Sequence, residues 1–208
     1  LMAGHAANAC CWLDAESQKW VTTSFYPEGL PSAADDMNVV GRITQLAERE
    51  WTPRMDLAMY NRPTEKERKR SFSYINKECL LQSPAANTLV IELALALQQA
   101  HNLGSDLTPD LLMLQLNTLS PNAQSDAIES AEQEDIYLGI NQDLGFLMEQ
   151  LGKRIGKENY QIFVIGRPVK GYSAASLEMA NLTVQHFNVD RAAALTGTYL
   201  MAIYGHER

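Results

Sequence analysis

Catalytic and metal-binding chemistry needs donors that converge, and the residues of this chain that could supply them are scattered. The four histidines, His5, His101, His186 and His206, include no pair at the i, i+4 spacing that puts two imidazoles on one helix face. A zinc centre needs three or four converging ligands, so each histidine reads as a structural or surface residue. Cys10, Cys11 and Cys79 make neither a C-x-x-C pair nor a Cys/His cluster. Side chains of adjacent strand residues point to opposite faces, so Cys10 and Cys11 form no relaxed disulfide, and the thiols read as small buried hydrophobes. Gly152-Lys153-Arg154 and Gly156-Lys157-Glu158 lack the glycine spacing and the hydroxyl after lysine that a phosphate loop requires, and read instead as helix ends. Between Arg62 and Arg70 five basic residues (Arg62, Lys66, Arg68, Lys69, Arg70) face two acids (Glu65, Glu67), a pattern read as a solvated face rather than an anion patch. Asp126 to Asp135 holds five acids and no base, which either meets a cation or complements a helix N-terminus.

These residues must be positioned by elements, and the apolar pattern predicts which. Ala9 to Leu13 and Trp20 to Tyr26, rich in β-formers and separated by the polar stretch 14–18, predict an antiparallel hairpin. Trp12, Trp20, Phe25 and Tyr26 are expected to supply its packing. Ser32 is the expected N-cap of a helix running to about Glu50, with Val39, Val40, Ile43 and Leu46 as its apolar set. A second part begins near Ser83-Pro84. Asn87 to Ala100 is apolar on more than one face and predicts a buried helix ended by Gly104. Ser130 and Gln133 form a capping-box pattern ahead of a long helix striped by Ile136, Ile140, Leu144, Leu147 and Leu151. Leu111–Leu116 and Tyr160–Ile165 are apolar without alternation, as strands covered on both faces are, and predict neighbouring parallel strands with that helix as crossover. Helical pattern resumes at Ser173 and again from Val189 to Tyr204. The fold class is therefore α/β, with a hairpin-and-helix segment (1–82) in front of the core (83–208).

In open α/β sheets ligands bind beyond the carboxyl ends of the strands. Chemistry is thus expected in Asn117–Gln124 and Gly166–Gly171, and neither stretch contains a His, Cys, Asp or Glu. Composition narrows the partners. With 208 residues, 17 Lys and Arg against 25 Asp and Glu, and a net charge of −8, the chain carries no general phosphate-binding surface, so nucleic acid is not an expected partner. No run approaches the eighteen apolar residues of a membrane span, and no basic segment precedes an apolar one as in a signal peptide. The chain opens mid-pattern at Leu1-Met2-Ala3 and closes just after an apolar run, as a piece of a longer protein would. A missing signal peptide then says nothing about compartment.

Gly4-His5-Ala6-Ala7-Asn8-Ala9, Trp12-Leu13-Asp14, Lys19 to Tyr26, Ser83-Pro84-Ala85-Ala86-Asn87-Thr88, Leu103-Gly104-Ser105-Asp106, Glu132 to Leu138 and Gly156 to Tyr160 occur in an order that resembles the bacterial alkaline-phosphatase-like family, in its type I phosphodiesterase/nucleotide pyrophosphatase branch. The resemblance spans nearly the whole chain. It implies a three-layer α/β/α core with a mainly parallel sheet and, at residues 1–82, a cap-like insertion beside the active site. It also implies a periplasmic or cell-envelope location. Enzymes of the family hold two zinc ions and attack phosphate with a Thr or Ser that lies upstream of this segment. Two metal motifs fall within it, S-S-T-D-Y-x-G-H ahead of E-x-E-D-x-Y, and T-A-D-H-G at a strand end. Counted back from Glu134-Asp135, the first motif's Asp falls on Ser120 and its His on Gln124. In the second motif the Asp falls on Arg167 and the His on Pro168.

All four ligands are thus replaced, and the resemblance implies a degenerate, non-catalytic domain without zinc that binds or scaffolds a protein or a small anionic ligand. One alternative is an active metal-dependent phosphate monoesterase or phosphodiesterase whose ligands lie elsewhere. Another is a metal-free phosphate- or sulfate-binding module using Arg167 and Lys170.

Overall fold

In the computed structural model, which describes residues 4, 7–49, 51–60, 79–119, 131–166 and 189–205, the first elements are two short strands joined by a polar turn. Asp14 accepts the backbone N–H of Ser17 at 2.8 Å, and Gln18 adopts a left-handed φ of 52°, which reverses the chain. Strands β1 (Trp12–Asp14) and β2 (Lys19–Val21) then pair antiparallel, with Leu13 opposite Trp20. The expected hairpin is present but shorter. Beyond β2 the bonds Tyr26 N–H to Thr23 O and Gly29 N–H to Tyr26 O wind the chain into turns instead of extending the ladder. Leu13, Trp20 and Tyr26 are buried, whereas Trp12 and Phe25, expected to pack, are exposed.

The helix expected over 32–50 divides in two. Pro31, not Ser32, stands at the N-cap of α1 (Ser32–Val40), and Gly41, at φ 68°, ends α1 and starts α2 (Arg42–Ala47). A left-handed residue cannot continue a right-handed helix, and the break re-aims the apolar face. Ile43 and Leu46 become buried, while Val39 and Val40 are left 81% and 66% exposed.

Helix α3 (Pro84–Ala100) begins with Pro84 in its first turn and is buried on several faces, by Ala85, Ala86, Leu89, Ile91, Leu93, Ala94 and Leu95. It packs along α4 (Ala131–Arg154), whose stripe lies as the period predicts: Ile136 and Leu147 are buried, with Ile140, Leu144 and Leu151 at the core's margin. Asn102, at φ 52°, and not Gly104 turns the chain at the end of α3, with Leu103 N–H returning to Gln98 O at 3.0 Å; Gly104, at φ 76°, lies in the turn that follows, where a Cβ would stand 2.9 Å from Ile155 Cδ1. Gly156, at φ 89°, ends α4 as expected, but Gly152 lies inside the helix and caps nothing. One hydrophobic cluster runs from Leu13 and Trp20 through Ile43, Trp51 and Tyr60 to Leu80, Leu89 and Ile136. Cys11 packs at its edge, where burial pushes its thiol up to about 11, as befits a small hydrophobe.

The parallel pairing predicted for 111–116 and 160–165 is not seen among the described residues. Residues 111–116 and 160–165 form neither helix nor strand, and the ladder of β1 with β2 is the one sheet among the described residues. Leu114 and Leu116 lean on Ile91, Leu95 and Leu147, while Leu111 and Met113 point outward at 84% and 51% exposure. Phe163, Val164 and Ile165 are exposed as well. Continuous apolar runs indicate burial on both faces, and here one face of one run is covered by helices. The chain divides into two compact units, Leu1–Lys170 and Gly171–Arg208. The described part of the second unit contains α5 (Val189–Tyr204), a helix with no buried residue. The helical pattern from Ser173 lies outside the described residues. Among those residues, no helix is long and apolar enough to cross a membrane.

Candidate functional site

Ser120, Gln124, Arg167, Pro168 and Lys170 all lie outside the described residues, as do His5, His186, His206 and the basic stretch 62–70. The structure does describe the chain that leads to the first pair. Asn117 is reached from α3, where Asn87 is 1% exposed. Asn87 Nδ2 donates to Asn117 O at 2.8 Å, and Asn87 Oδ1 accepts Asn117 N–H at 2.8 Å. Asn117 Nδ2 in turn donates to Leu81 O, and its Oδ1 accepts Leu119 N–H at 3.1 Å. From the first turn of α4, Gln133 Nε2 donates to Thr118 O. Three consecutive residues, Asn117 to Leu119, are therefore held by bonds from three separate parts of the chain.

The start of α4 is tied down by a second network. Asp135 is wholly buried and accepts four hydrogen bonds from three residues. Its Oδ1 takes Arg54 N–H at 2.8 Å and Tyr60 O–H at 2.6 Å, and its Oδ2 takes Trp51 Nε1–H and Arg54 Nη1–H at 2.7 Å each. Arg54 Nε reaches on to Gln142 Oε1 at 3.0 Å, and the guanidinium lies where a Cβ on Gly139 would come within 3.0 Å of Cζ. A buried carboxylate is tolerated when its lone pairs are filled and a cation stands beside it, and here both conditions hold. Burial, and then the bond to Asp135, push the Tyr60 phenol up to about 12. The acids at this helix start thus have separate fates. Glu132 and Glu134 occupy the first turn, as the macrodipole reading expects, and Asp135 is a hydrogen-bond hub.

Further along, Thr88 Oγ1 donates to Asp143 at 3.1 Å, and burial raises the Asp143 carboxyl. Arg42 forms a two-pronged pair with Glu92 at 2.6 and 3.0 Å on the wall of an open groove of about 500 Å³ between α1 and α3. Among the described residues no group of three or more His, Cys, Asp or Glu side chains converges as a metal site would require. His101 is the C-cap residue of α3 and is exposed.

Sequence reasoning did not single out Asn87, Gln133, Asp135 or Arg54 for the bonds they make. For Asn87 a signal exists: a short amide among Ala, Leu, Val and Ile in a buried helix must have partners, because burying it unpaired costs free energy. For Arg54 with Asp135 no local signal exists, since the partners lie 81 residues apart.

No protein-family model matches the chain. Alkaline phosphatase PafA of Elizabethkingia meningoseptica is 26% identical over 182 residues, covering 79% of this chain and 33% of that protein. Alkaline phosphatase PhoV of Synechococcus elongatus is 27% identical over 181 residues, again covering 79% and 33%. A Myroides odoratus protein named calcium-transporting ATPase is 27% identical over 184 residues, covering 79% and 34%. Among solved structures, wild-type PafA matches with a TM-score of 0.69 at 22% identity, covering 98% of this chain and 42% of that one. The two lines of likeness agree on order and on fold. By sequence and by fold the chain resembles the alkaline phosphatases PafA and PhoV, and it spans about a third of the length of the curated relatives it matches.

Proposed function

We propose that the chain is a degenerate alkaline-phosphatase/phosphodiesterase-like domain that does not carry out zinc-dependent hydrolysis and acts by binding or scaffolding. The observation that carries this reading is the donor set at the four family ligand positions, Ser120, Gln124, Arg167 and Pro168. A two-zinc hydrolase needs carboxylate and imidazole ligands around each ion, with one position open to the phosphoryl oxygen. Neutral hydroxyl and amide oxygens are weak replacements. The Arg167 guanidinium is a fixed cation where a dication would sit, and Pro168 has no side-chain donor. The residues present do not fit zinc.

The helix pair α3 and α4 with the approach to Ser120 supports a retained scaffold. On that scaffold, 111–116 and 160–165 are assigned as strands of a mainly parallel sheet, and residues 1–82 as a cap-like part against 83–208. Arg167 and Lys170, which follow residues 160–165 in sequence, offer charge and donors for a small anion, and a protein is the other partner class. The assigned location is the periplasm or cell envelope, after the relatives.

The test is zinc content after purification without chelator, together with turnover of an aryl phosphate in excess zinc. The expected result is neither stoichiometric zinc nor turnover. Stoichiometric zinc with turnover that is lost on substituting Ser120 or Arg167 would overturn the reading in favour of an active esterase. In the second arm, Ser120→Asp, Gln124→His, Arg167→Asp and Pro168→His are combined, and zinc binding is expected to return. If a normally folded quadruple variant binds no zinc, the assignment of those four positions is wrong. Titration of the unmodified protein with inorganic phosphate separates an anion-binding module from a scaffold.

A further inference from the structure

We infer that Thr88 and Asp143 form a proton-operated clasp between α3 and α4, in which protonation of Asp143 reverses a hydrogen-bond relay that ends on Pro84 O. Every residue of the clasp belongs to this helix pair, and its action does not depend on whether the chain hydrolyses phosphate.

Thr88 has one hydroxyl proton and three oxygens within reach of it. Asp143 Oδ2 stands 3.1 Å from Oγ1, Asp143 Oδ1 3.4 Å, and Pro84 O, one turn back in α3, 3.3 Å. The charge on Asp143 decides where the proton goes. An ionised Asp143 can only accept, so it draws the Thr88 proton and leaves Pro84 O without the hydroxyl. A neutral Asp143 carries a donor of its own. Its O–H then bonds to a lone pair of Thr88 Oγ1, and the Thr88 proton swings to Pro84 O, the backward bond open to any helical threonine. The acid form thus makes two bonds where the ionised form makes one.

The surroundings favour the acid form. Asp143 is half-buried on α4, and burial is the largest influence holding its carboxyl above the ordinary 3.8. Glu92 follows Thr88 by one turn on the same face of α3 and adds like-charge repulsion. The Thr88 bond and Arg54 pull the other way without reversing the balance. Arg54 is engaged with Asp135 at 2.7 Å and Gln142 at 3.0 Å, and Glu92 is itself held by Arg42 from α2. Among the described residues, Glu92 from α3 and Arg54 from residues 51–60 are the charged groups that act on Asp143. As Asp143 ionises, the α3–α4 pairing loses a bond and gains a repulsion. A carboxyl held above 3.8 in the folded state adds stability that is complete below pH 3.8 and fades as pH rises through the folded value.

Carbon-13 shifts of the Asp143 carboxyl and the Pro84 carbonyl, followed against pH in the full chain, test the clasp. Both are expected to titrate with one shared midpoint above 3.8. In Asp143→Asn the amide nitrogen donates to Thr88 Oγ1 at every pH, so the Pro84 signal is expected to stay at its acid value. Thr88→Val is expected to abolish the Pro84 response while Asp143 still titrates, and Thr88→Ser to retain it. Glu92→Gln is expected to lower the shared midpoint. An Asp143 midpoint at or below 3.8, or a Pro84 carbonyl that does not follow Asp143 in the unmodified protein, would overturn the clasp. A Pro84 response of full size in Thr88→Val refutes the relay, and if that variant does not fold, a Pro84 signal that still titrates in Asp143→Asn refutes it equally. Urea unfolding reads the consequence. The midpoint of Asp143→Asn is expected to gain on that of the unmodified protein as pH rises through the Asp143 titration, and a constant difference refutes a clasp that loosens on ionisation.

Discussion

Replacing Asp135 by asparagine isolates the worth of a buried charge with little change in volume. In the native protein all four acceptor sites are taken: Oδ1 by Arg54 N–H and Tyr60 O–H, Oδ2 by Trp51 Nε1–H and Arg54 Nη1–H. An amide must turn its NH2 toward one pair. On the Oδ2 side it would meet two N–H groups that can only donate. On the Oδ1 side it meets one such group, Arg54 N–H, and a Tyr60 hydroxyl that can rotate to accept. The second orientation is therefore favoured, and it leaves one buried backbone donor unsatisfied and the Arg54 guanidinium without its counter-charge. An orphaned donor costs about 1–3 kcal/mol, and a broken buried ion pair about 3–5 kcal/mol. Arg54 keeps Gln142 and is 23% exposed, so it recovers part of its hydration. The expected loss is about 2–4 kcal/mol. Urea unfolding followed by tryptophan fluorescence measures it, since Trp51 is itself a donor in the network. A loss below about 1 kcal/mol, with an unchanged m-value, would refute the claim that this carboxylate anchors residues 51–60 to α4.

Gly139→Ala adds about 1 kcal/mol of helix propensity but sets a Cβ 3.0 Å from Arg54 Cζ, which is held at both ends by Asp135 and Gln142, so net destabilisation is expected. In an Arg54→Ala background the same change is expected to stabilise, a sign reversal that thermal unfolding of the double-mutant cycle detects. Tyr60 has a folded pKa of about 12 against an ordinary value of 10.0, so the folded state holds its proton more tightly. The resulting stability is fully present below pH 10 and declines as pH rises toward 12. Absorbance titration is expected to show one late-ionising tyrosine that Tyr60→Phe removes, and a titration curve unchanged by that substitution would refute the assignment.

The helical half of the fold is legible in the sequence because helix signals are local. The stripe from Ile136 to Leu151 and the glycine at 156 state their roles within a few residues of themselves, whereas α3 ends at left-handed Asn102 and not at the expected Gly104. Gly41 shows the limit of that logic. Its flanks both read as helix, and the break is visible from its left-handed conformation, not from the apolar period. The runs 111–116 and 160–165 announce β-structure but not the strands that would pair with it, because a ladder partner is a non-local choice. In the candidate site, the positions Ser120, Gln124, Arg167 and Pro168 are proposed from motif spacing alone and lie outside the described residues. The polar ties around its approach join residues 15 to 84 apart and leave no periodic trace.

Tyr60 and Leu80 belong to the same hydrophobic cluster, and Tyr60 is also fastened to Asp135. The nineteen residues 61–79 thus leave from and return to one packed region. For such an excursion the entropy of closing the ends grows with the logarithm of its length, by about 0.6 kcal/mol for each doubling. The core does not fix the length of this stretch. A change in the number of residues between Tyr60 and Leu80 is therefore expected to cost the fold little so long as both ends keep their packing.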